Sequence, residues 1–197
     1  MILIAGGTGR LGTALTPMLR AHDQTVRVLT RDPTRARHLA GTAEIVVGDV
    51  RDRSSLDHAF EGVTSVVSAV HGFAGPGRVT PASVDQDGNA NLVDAARDAG
   101  ADVVLMSVVG ASPDSPMELF RAKFQAEAHL RSSGVNWTIV RATAFIELWA
   151  DLLGKGIVFG RGDNPINFVA VDDVAAAVAS AVGDTTLRST VLEIGGP

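Results

Sequence analysis

The amino-acid sequence predicts an α/β protein with a doubly wound parallel sheet, and three observations support this. Short apolar runs rich in β-branched residues alternate with longer amphipathic stretches along the whole chain. Strands that are apolar on both faces are typical of buried parallel sheets, whose connections are right-handed helical crossovers. The first apolar run leads directly into a glycine-rich turn and then a helical pattern. We expect residues 1–197 to form a single domain, because a chain of this length fills one three-layer core.

The order of these segments gives the predicted elements. Strands are predicted at 1–5, 25–29, 43–47, 65–70, 103–107, 138–141 and 191–194. Helices are predicted at 12–21, 33–39, 54–60, 83–99, 117–132, 145–153 and 172–182. This alternation favours βαβ units throughout the chain.

Composition excludes several classes of function. The formal net charge of −5 argues against nucleic acid or an anionic membrane as the main partner. The sequence has no cysteine, which excludes disulfides and a cysteine nucleophile, and its histidines have no ligand spacing, so we expect no metal site. No apolar run approaches the roughly 20 residues that span a bilayer. The expected location is the cytoplasm.

The turn after the first strand reads GGTGRLG, from Gly6 to Gly12. Glycines allow a sharp turn and let backbone N–H groups approach a pyrophosphate with no Cβ in the way. The helix that follows directs the positive end of its dipole at the same phosphates. This motif between a strand and a helix predicts a dinucleotide-binding Rossmann fold, whereas elsewhere it would indicate only a tight turn. The residues expected to contact the cofactor are Gly6, Thr8, Gly9, Arg10, Leu11 and Gly12.

The end of the second strand indicates which dinucleotide binds. In this fold the strand tip lies beside the adenosine ribose, where NAD-selective proteins place a carboxylate. Here the tip carries Thr30 and Arg31, and a guanidinium suits a 2′-phosphate. NADP(H) is therefore favoured over NAD(H), although solvated surface arginines would show the same pattern. Asp32 has two interpretations: a ribose ligand, or the N-cap of a helix that begins at Pro33.

The next two strands end in further candidates for cofactor contact. Asp49 can accept a hydrogen bond from the adenine amino group and Val50 can cover the ring, while a turn-capping aspartate is the alternative. Beyond the fourth strand, Ala69 and Val70 would let the backbone lie along the pyrophosphate and the nicotinamide ribose. His71 follows, and its imidazole either donates a proton beside the reacting ring or is simply a loop residue.

Several segments together resemble a known superfamily. They are the GGTGRLG turn, VDQDGNANLVDAA at 84–96, Lys123 with Glu127, SGVNWTIVR at 133–141, FVAVDDVA at 168–175 and LEIGGP at 192–197. This combination resembles the atypical short-chain dehydrogenase/reductases, most closely their NmrA-like, NAD(P)H-binding branch. The resemblance covers essentially the whole chain. It implies NAD(P)H binding, with either reduction of a small molecule or redox sensing.

The chain departs from this superfamily at the catalytic tyrosine. Superfamily enzymes use a Tyr-x-x-x-Lys pair, and here Lys123 matches the lysine while Leu119 stands at the tyrosine position. The chain has no tyrosine at all, which excludes tyrosine-based ketone reduction. The resemblance implies that Lys123 holds the nicotinamide ribose and that Ser107 bonds the cofactor amide or polarises a carbonyl. With His71, these are the catalytic candidates.

The resemblance also bears on the substrate side. It implies that the backbone at Ala142 and Phe145 runs past the nicotinamide, and that the substrate lobe is truncated to a short segment around 145–168. The pocket is then small, open or completed by a second subunit of a homodimer. Its candidate lining residues are Phe73, Phe145, Leu148 and Trp149.

The missing tyrosine favours one class of electron acceptor. A quinone, flavin or conjugated enone takes hydride without an obligatory protein acid, because the product anion is delocalised and water can protonate it. We therefore expect an NADP(H)-dependent reductase of such an apolar or aromatic small molecule. The alternative is a non-catalytic NAD(P)H-binding sensor of the NmrA type that passes its redox state to a partner.

Overall fold

The computed structural model describes residues 1–72, 79–157 and 165–196, and a parallel sheet forms its centre. The strands are β1 (Ile2–Ala5), β2 (Val26–Thr30), β3 (Glu44–Val47), β4 (Ser65–Ser68), β5 (Asp102–Val108), β6 (Trp137–Ala142), β7 (Ala144–Phe145), β8 (Phe168–Val169) and β9 (Thr190–Ile194). The main sheet has seven strands in the order β3-β2-β1-β4-β5-β6-β9, and every neighbouring pair is parallel. Strands β7 and β8 form a separate short parallel pair.

Helices cover both faces of the sheet. The α-helices are α1 (Arg10–Ala21), α2 (Asp87–Ala99), α3 (Glu118–Ser132), α4 (Ile146–Gly154) and α5 (Val171–Ala181). Successive strand residues point to opposite faces, so Leu3 joins the core under α2 and α3, whereas Ile4 joins the core under α1 and α5. This two-sided burial explains why the strands read as continuous apolar runs. The predicted doubly wound parallel sheet is confirmed.

Some predicted elements differ in kind or length. The stretches at 33–39 and 54–60 are not α-helices but 3₁₀ turns, Pro33–Leu39, Arg53–Leu56 and His58–Phe60, because they are too short to propagate an α-helix. The helix predicted from residue 83 begins as a π-helical turn, Ala82–Gln86, which continues into α2. The strand predicted at 65–70 is shorter, because β4 ends at Ser68. The Val70 carbonyl oxygen accepts a hydrogen bond from Lys123 instead of from a neighbouring strand.

The strand order creates a crevice at one edge of the sheet. From β1 the chain continues to β2 and β3 on one side, while β4, β5 and β6 lie on the other. The loops after β1 and β4 therefore diverge, and doubly wound sheets bind their ligands at such a point. The glycine turn follows β1, and residues 69–72 follow β4. Both predicted cofactor-contact segments thus border the same crevice.

Candidate functional site

The glycine turn has contacts that only glycine satisfies. Gly6 has a φ of +86°, and a Cβ on it would lie 2.5 Å from the Ala69 carbonyl oxygen. A Cβ on Gly12 would lie 2.3 Å from the Gly7 Cα atom, because the first turn of α1 packs directly against the glycine turn. Leu11 points the other way and is buried in the core. The turn is therefore held tightly between the end of β4 and the start of α1.

The amino-terminal end of α1 has the electrostatics that a phosphate requires. Gly9 is its N-cap, and among the described residues no side chain caps the helix and no acidic residue lies in its first turn. The first N–H groups of a helix lack partners within the helix, and the dipole makes that end positive. A turn whose backbone packing leaves no room for side chains at Gly6 and Gly12, followed by a helix end that is uncapped at Gly9, forms a cradle that fits the pyrophosphate of a dinucleotide.

An open groove of about 500 Å³ lies beside this helix end. Its lining residues are Thr8, Gly9, Arg10, Thr13, Ala14, Glu147, Val171 and Asp172. The Glu147 carboxylate accepts a hydrogen bond of 3.0 Å from the Val171 N–H, so α4 caps α5. Asp151, also on α4, forms an ion pair with Arg10. Helix α4 is thus tied to the glycine turn across the groove.

Just beyond the end of β2, the carboxylate of Asp32 accepts hydrogen bonds within the protein, and basic residues follow it in the chain. Asp32 Oδ1 accepts a hydrogen bond of 2.9 Å from the Thr34 N–H, which confirms its interpretation as an N-cap. The hydroxyl and N–H of Thr34 lower the pKa of Asp32, and the charges of Arg35 and Arg37 act in the same direction. Thr30 is buried, and its hydroxyl bonds to the backbone of Asp32, so it shapes the turn.

The end of β3 repeats this arrangement. Arg51 Nε lies 3.1 Å from both Asp49 oxygens, and these hydrogen bonds lower the pKa of Asp49. The charge of the exposed Arg31 also lowers the pKa of Asp49. Val50 is buried, and a Cβ on Gly88 would lie 2.7 Å from its Cγ2 atom. The carboxyl ends of β2 and β3 are therefore rich in guanidinium groups.

Lys123 lies at the carboxyl ends of β4 and β5 and is almost completely buried. Its Nζ atom donates to the carbonyl oxygens of Val70 and Met106, at 3.0 Å each, and lies 2.9 Å from Asp85 Oδ1. An ammonium group has three donors. Two of them bond to these carbonyl oxygens, whereas Asp85 Oδ1 is ion-paired with the ammonium group and accepts no hydrogen bond from the described residues.

Ser107 belongs to a second buried polar cluster. Its hydroxyl donates a hydrogen bond of 2.6 Å to Glu127 Oε1, and Arg141 donates to both carboxylate oxygens of Glu127, at 2.9 and 2.7 Å. Burial alone would raise the pKa of Glu127, but the hydrogen bonds from Arg141 and Ser107 outweigh it and the pKa is lowered. The ionised carboxylate of Glu127 on α3 thus connects Ser107 of β5 with Arg141 of β6.

His71 follows the end of β4 and is exposed. The pKa of its imidazole is lowered, mainly by partial burial of the ring and then by the charge of Lys123. The charge of Asp85 opposes this shift. Such a ring is neutral near pH 7 and can donate one hydrogen bond.

The segment after β6 contains the residues that the sequence predicts to line a substrate pocket. Ala142 is buried at the end of β6, and Phe145 is half-buried in the short strand β7. Trp149 of α4 packs edge-to-face on Phe168, with ring centroids 5.8 Å apart. Helix α4 is apolar, yet it has no buried residue among those described, and Leu148 is exposed. Phe73, another predicted lining residue, lies outside the described residues.

Two site residues were not singled out as site residues from the sequence. Asp85 and Asn89 are completely buried, and Asn89 Nδ2 donates to the Asp85 carbonyl oxygen at 2.7 Å. Both occur in the VDQDGNANLVDAA segment, where two polar residues four apart fall on one helical face. That pattern could have indicated a buried polar pair, because the same face also carries Val93.

A protein-family model described as NAD(P)H-binding matches residues 6–185. The chain belongs to this NAD(P)H-binding family. The match runs from the first glycine of the turn to the 3₁₀ turn before β9, so it includes every segment that borders the crevice. Membership agrees with the cradle at Gly6 and Gly12 and with the NmrA-like resemblance.

Several proteins that the chain resembles are reductases by name. The chain is 29% identical to the NAD(P)H azoreductase of Xenophilus azovorans and 31% identical to the (4-alkanoyl-5-oxo-2,5-dihydrofuran-3-yl)methyl phosphate reductase of Streptomyces griseus, covering all of this chain and 68% of each relative. The NADPH complex of the NADPH-dependent quinone oxidoreductase of Escherichia coli superposes with a TM-score of 0.81, at 25% identity, over 100% of this chain and 69% of that one.

These relatives confirm the superfamily and the Rossmann fold, and they support the prediction of an NAD(P)H-dependent oxidoreductase. Within the ranges that the structure describes, no helix has both the length and the hydropathy needed to cross a membrane. Over the same ranges, no three acidic or histidine side chains converge as metal ligands.

Proposed function

We propose that this protein transfers hydride from NADPH to a quinone, flavin or conjugated enone without a tyrosine acid. The observation that carries the proposal is the cradle at Gly6, Gly9 and Gly12, joined to a reacting side that has no tyrosine. NADPH would supply the hydride. The chain's own residues bind the dinucleotide and hold its nicotinamide end near β4.

The proposed preference for NADPH rests on charge at the adenosine end. Asp32 is occupied as an N-cap and Asp49 is paired with Arg51, so neither carboxylate is poised to accept from ribose hydroxyls. Arg31 is exposed beside them. A guanidinium can donate two hydrogen bonds to a phosphate, so Arg31 suits the 2′-phosphate that distinguishes NADPH.

The proposed class of acceptor follows from the polar groups on the reacting side. The Ser107 hydroxyl donates a hydrogen bond to Glu127. The Lys123 ammonium group is ion-paired with Asp85 and donates hydrogen bonds to two backbone carbonyl oxygens. The neutral His71 imidazole can donate a hydrogen bond to a developing anion but is a weak acid source. Acceptors whose anions are delocalised need no strong acid. Quinones and dihydrofuranones, which occur in the names of relatives, are of this kind.

We further propose that the acceptor is flat and apolar and lies against the exposed side of α4. Leu148 and Ile146 are exposed there, and the Trp149–Phe168 ring pair borders them. An aromatic acceptor would bury apolar area that water otherwise contacts. A second subunit that covers the same surface is the competing possibility for this side of the crevice.

The test is a panel of acceptors with the purified protein. Oxidation of NADPH is followed at 340 nm with menadione, flavin mononucleotide and a cyclic enone, and NADPH binding is measured separately by titration calorimetry. We expect accelerated oxidation with at least one acceptor, and slower oxidation with NADH. Tight NADPH binding without any acceleration would overturn the reductase and favour the non-catalytic sensor.

A further inference from the structure

The chain just beyond β4 is fastened at both ends by one buried ion pair. Lys123 Nζ donates to the Val70 carbonyl oxygen at 3.0 Å, and Asp85 Oδ2 accepts from the Gly72 N–H at 2.6 Å. The two charged groups lie 2.9 Å apart and are at most 5% exposed. We propose that Asp85 and Lys123 are positioning residues that fix this segment, and through it the His71 imidazole, at the nicotinamide side of the crevice.

The residue between the two fastened positions is His71, so its backbone has little freedom. Gly72 is also packed tightly, since a Cβ on it would lie 2.1 Å from the Thr80 carbonyl oxygen. A segment held by one acceptor bond, one donor bond and a close backbone contact cannot shift without breaking one of them. The direction in which the imidazole leaves the backbone is set accordingly. This inference rests on the proposed hydride transfer, because it assigns His71 a place beside the reacting groups.

The ion pair is itself fixed to the strands that flank it. Lys123 also donates to the Met106 carbonyl oxygen at the end of β5. On the other side, Asn89 Nδ2 donates to the Asp85 carbonyl oxygen, and Asn89 Oδ1 accepts from the Ser68 hydroxyl of β4. Asp85 lies in the π-helical turn, a geometry that is frequent at functional sites. The network therefore fixes the position of His71 relative to β4 and β5, two adjacent strands of the main sheet.

Stability alone does not account for burying these two charges. Removing a carboxylate and an ammonium group from water is unfavourable, and well-packed apolar residues are often as stabilising. What an apolar pair cannot do is bond the Val70 carbonyl and the Gly72 N–H at once. Lys123 donates two hydrogen bonds to backbone carbonyl oxygens and pairs its charge with Asp85, so it acts on the reaction by holding the chain after β4.

The decisive experiment compares Asp85→Ala in two backgrounds. In the wild type, Asp85→Ala is expected to lower kcat with menadione roughly 10- to 100-fold, as misplacement of a reacting group does, and to change the Kd for NADPH less than about 3-fold. In the His71→Ala background the same substitution should leave kcat unchanged, because the group it positions is gone. An equal loss of kcat in both backgrounds would overturn the proposal, because the loss would not pass through His71.

Two further variants separate positioning from general destabilisation. Asp85→Asn keeps an acceptor oxygen for the Gly72 N–H, so its kcat should lie between those of the wild type and Asp85→Ala, and it serves alone if Asp85→Ala does not fold. Arg27→Met is the matched control, because it removes a buried arginine that pairs with Glu44 on β3, away from the crevice. It should lower the melting temperature and leave kcat unchanged. A parallel loss of kcat in Arg27→Met would contradict the proposal.

A readout without turnover distinguishes this inference from the proposed function. The side-chain ¹⁵N and ¹H signals of His71, assigned with His71→Ala, are recorded by NMR for the wild type, Asp85→Asn, Lys123→Met and Arg27→Met. We expect shifted or broadened His71 signals in Asp85→Asn and Lys123→Met, and wild-type signals in Arg27→Met. Unchanged signals in both would overturn the inference even if the reductase is active. If no acceptor is reduced, the proposed function fails while shifted signals still support the positioning of His71.

Discussion

The Ser107 hydroxyl donates a hydrogen bond of 2.6 Å to the buried carboxylate of Glu127, so this serine faces α3. A serine at the end of β5 is a catalytic candidate by resemblance, but the hydroxyl of Ser107 already donates its hydrogen bond to the Glu127 carboxylate. Glu127 in turn binds Arg141, whose pKa is raised by these hydrogen bonds. The pair therefore ties β5 to α3, and β6 to both, directly beneath the loops that form the crevice.

Ser107→Ala tests this directly. We expect a loss of roughly 1 kcal/mol in the free energy of unfolding, the usual value of one hydrogen bond, and a kcat with menadione within about 3-fold of the wild type. The measurements are urea unfolding followed by circular dichroism and steady-state NADPH oxidation. A fall in kcat of more than about 100-fold with unchanged stability would instead mean that the hydroxyl acts on the substrate.

The paired anion at Glu127 makes stability depend on acid. Its pKa in the folded protein is below the ordinary value of 4.5, because hydrogen bonds from Arg141 and Ser107 outweigh the effect of burial. Its contribution is thus fully present above about pH 4.5 and is lost as pH falls through the lowered folded pKa. We expect Glu127→Ala to cost about 3–5 kcal/mol at pH 7, because Arg131 loses this carboxylate and Arg141 keeps only the exposed carboxylate of Glu193.

The control for this pH dependence is Glu127→Gln. It keeps a similar shape and cannot ionise, so the melting temperature should fall less steeply between pH 5 and pH 3 than in the wild type. Scanning calorimetry over that range gives the comparison. The assignment is wrong if both proteins lose stability in parallel.

Arg31 is the test of dinucleotide preference. Arg31→Ala is expected to weaken NADPH binding roughly 10- to 100-fold, because a charge-assisted hydrogen bond contributes about 1.5–3 kcal/mol, and to leave NADH binding nearly unchanged. Titration calorimetry with both dinucleotides measures this. Arg188→Ala, which removes an exposed arginine paired with Asp102 at the start of β5, is the matched control. Equal losses for NADPH and NADH would remove Arg31 from the 2′-phosphate.

The sheet was predictable because its information is local. Each strand is a short apolar run bounded by turn residues, and burial on both faces removes any ambiguity about which side faces solvent. The glycine turn was equally predictable from the sequence, because the lack of room for a side chain at Gly6 and Gly12 depends on tight local packing. Asp32 as an N-cap before Pro33 likewise follows from local sequence.

The partners of buried polar side chains were not predictable in the same way. Lys123 and Asp85 are 38 positions apart in the chain and meet only because α3 packs on the π-helical turn before α2. Ser107 meets Glu127 through the packing of α3 on β5. The residue types pointed to chemistry at the carboxyl edge, but the direction of each side chain depends on tertiary packing that one sequence does not show.

Within the glycine turn, Gly12 is the position with the least room for a side chain. Its added Cβ would lie 2.3 Å from the Gly7 Cα atom, so Gly12→Ala must push α1 away from the turn. We expect the Kd for NADPH and the Kd for NADH to rise together, by roughly 10-fold or more, because both share the pyrophosphate. Fluorescence titration of the reduced nicotinamide measures both. Unchanged affinities would place the pyrophosphate elsewhere.

Arg10 is the first residue of α1 and lies next to both the glycine turn and helix α4. Its guanidinium is paired with Asp151 of α4 across the groove, and the same group borders the cradle expected to hold the phosphates. A carboxylate that occupies Arg10 competes with a cofactor phosphate for the same donors. Asp151→Asn should therefore tighten NADPH binding by up to about 5-fold, since an exposed ion pair is worth about 0–1 kcal/mol, and the gain should shrink at high salt because exposed charges are screened. Calorimetric titration at 50 mM and 500 mM NaCl, with Asp173→Asn on α5 as the control substitution, measures both effects. Weaker NADPH binding in Asp151→Asn would mean that Asp151 holds Arg10 in place for the cofactor and does not compete with it.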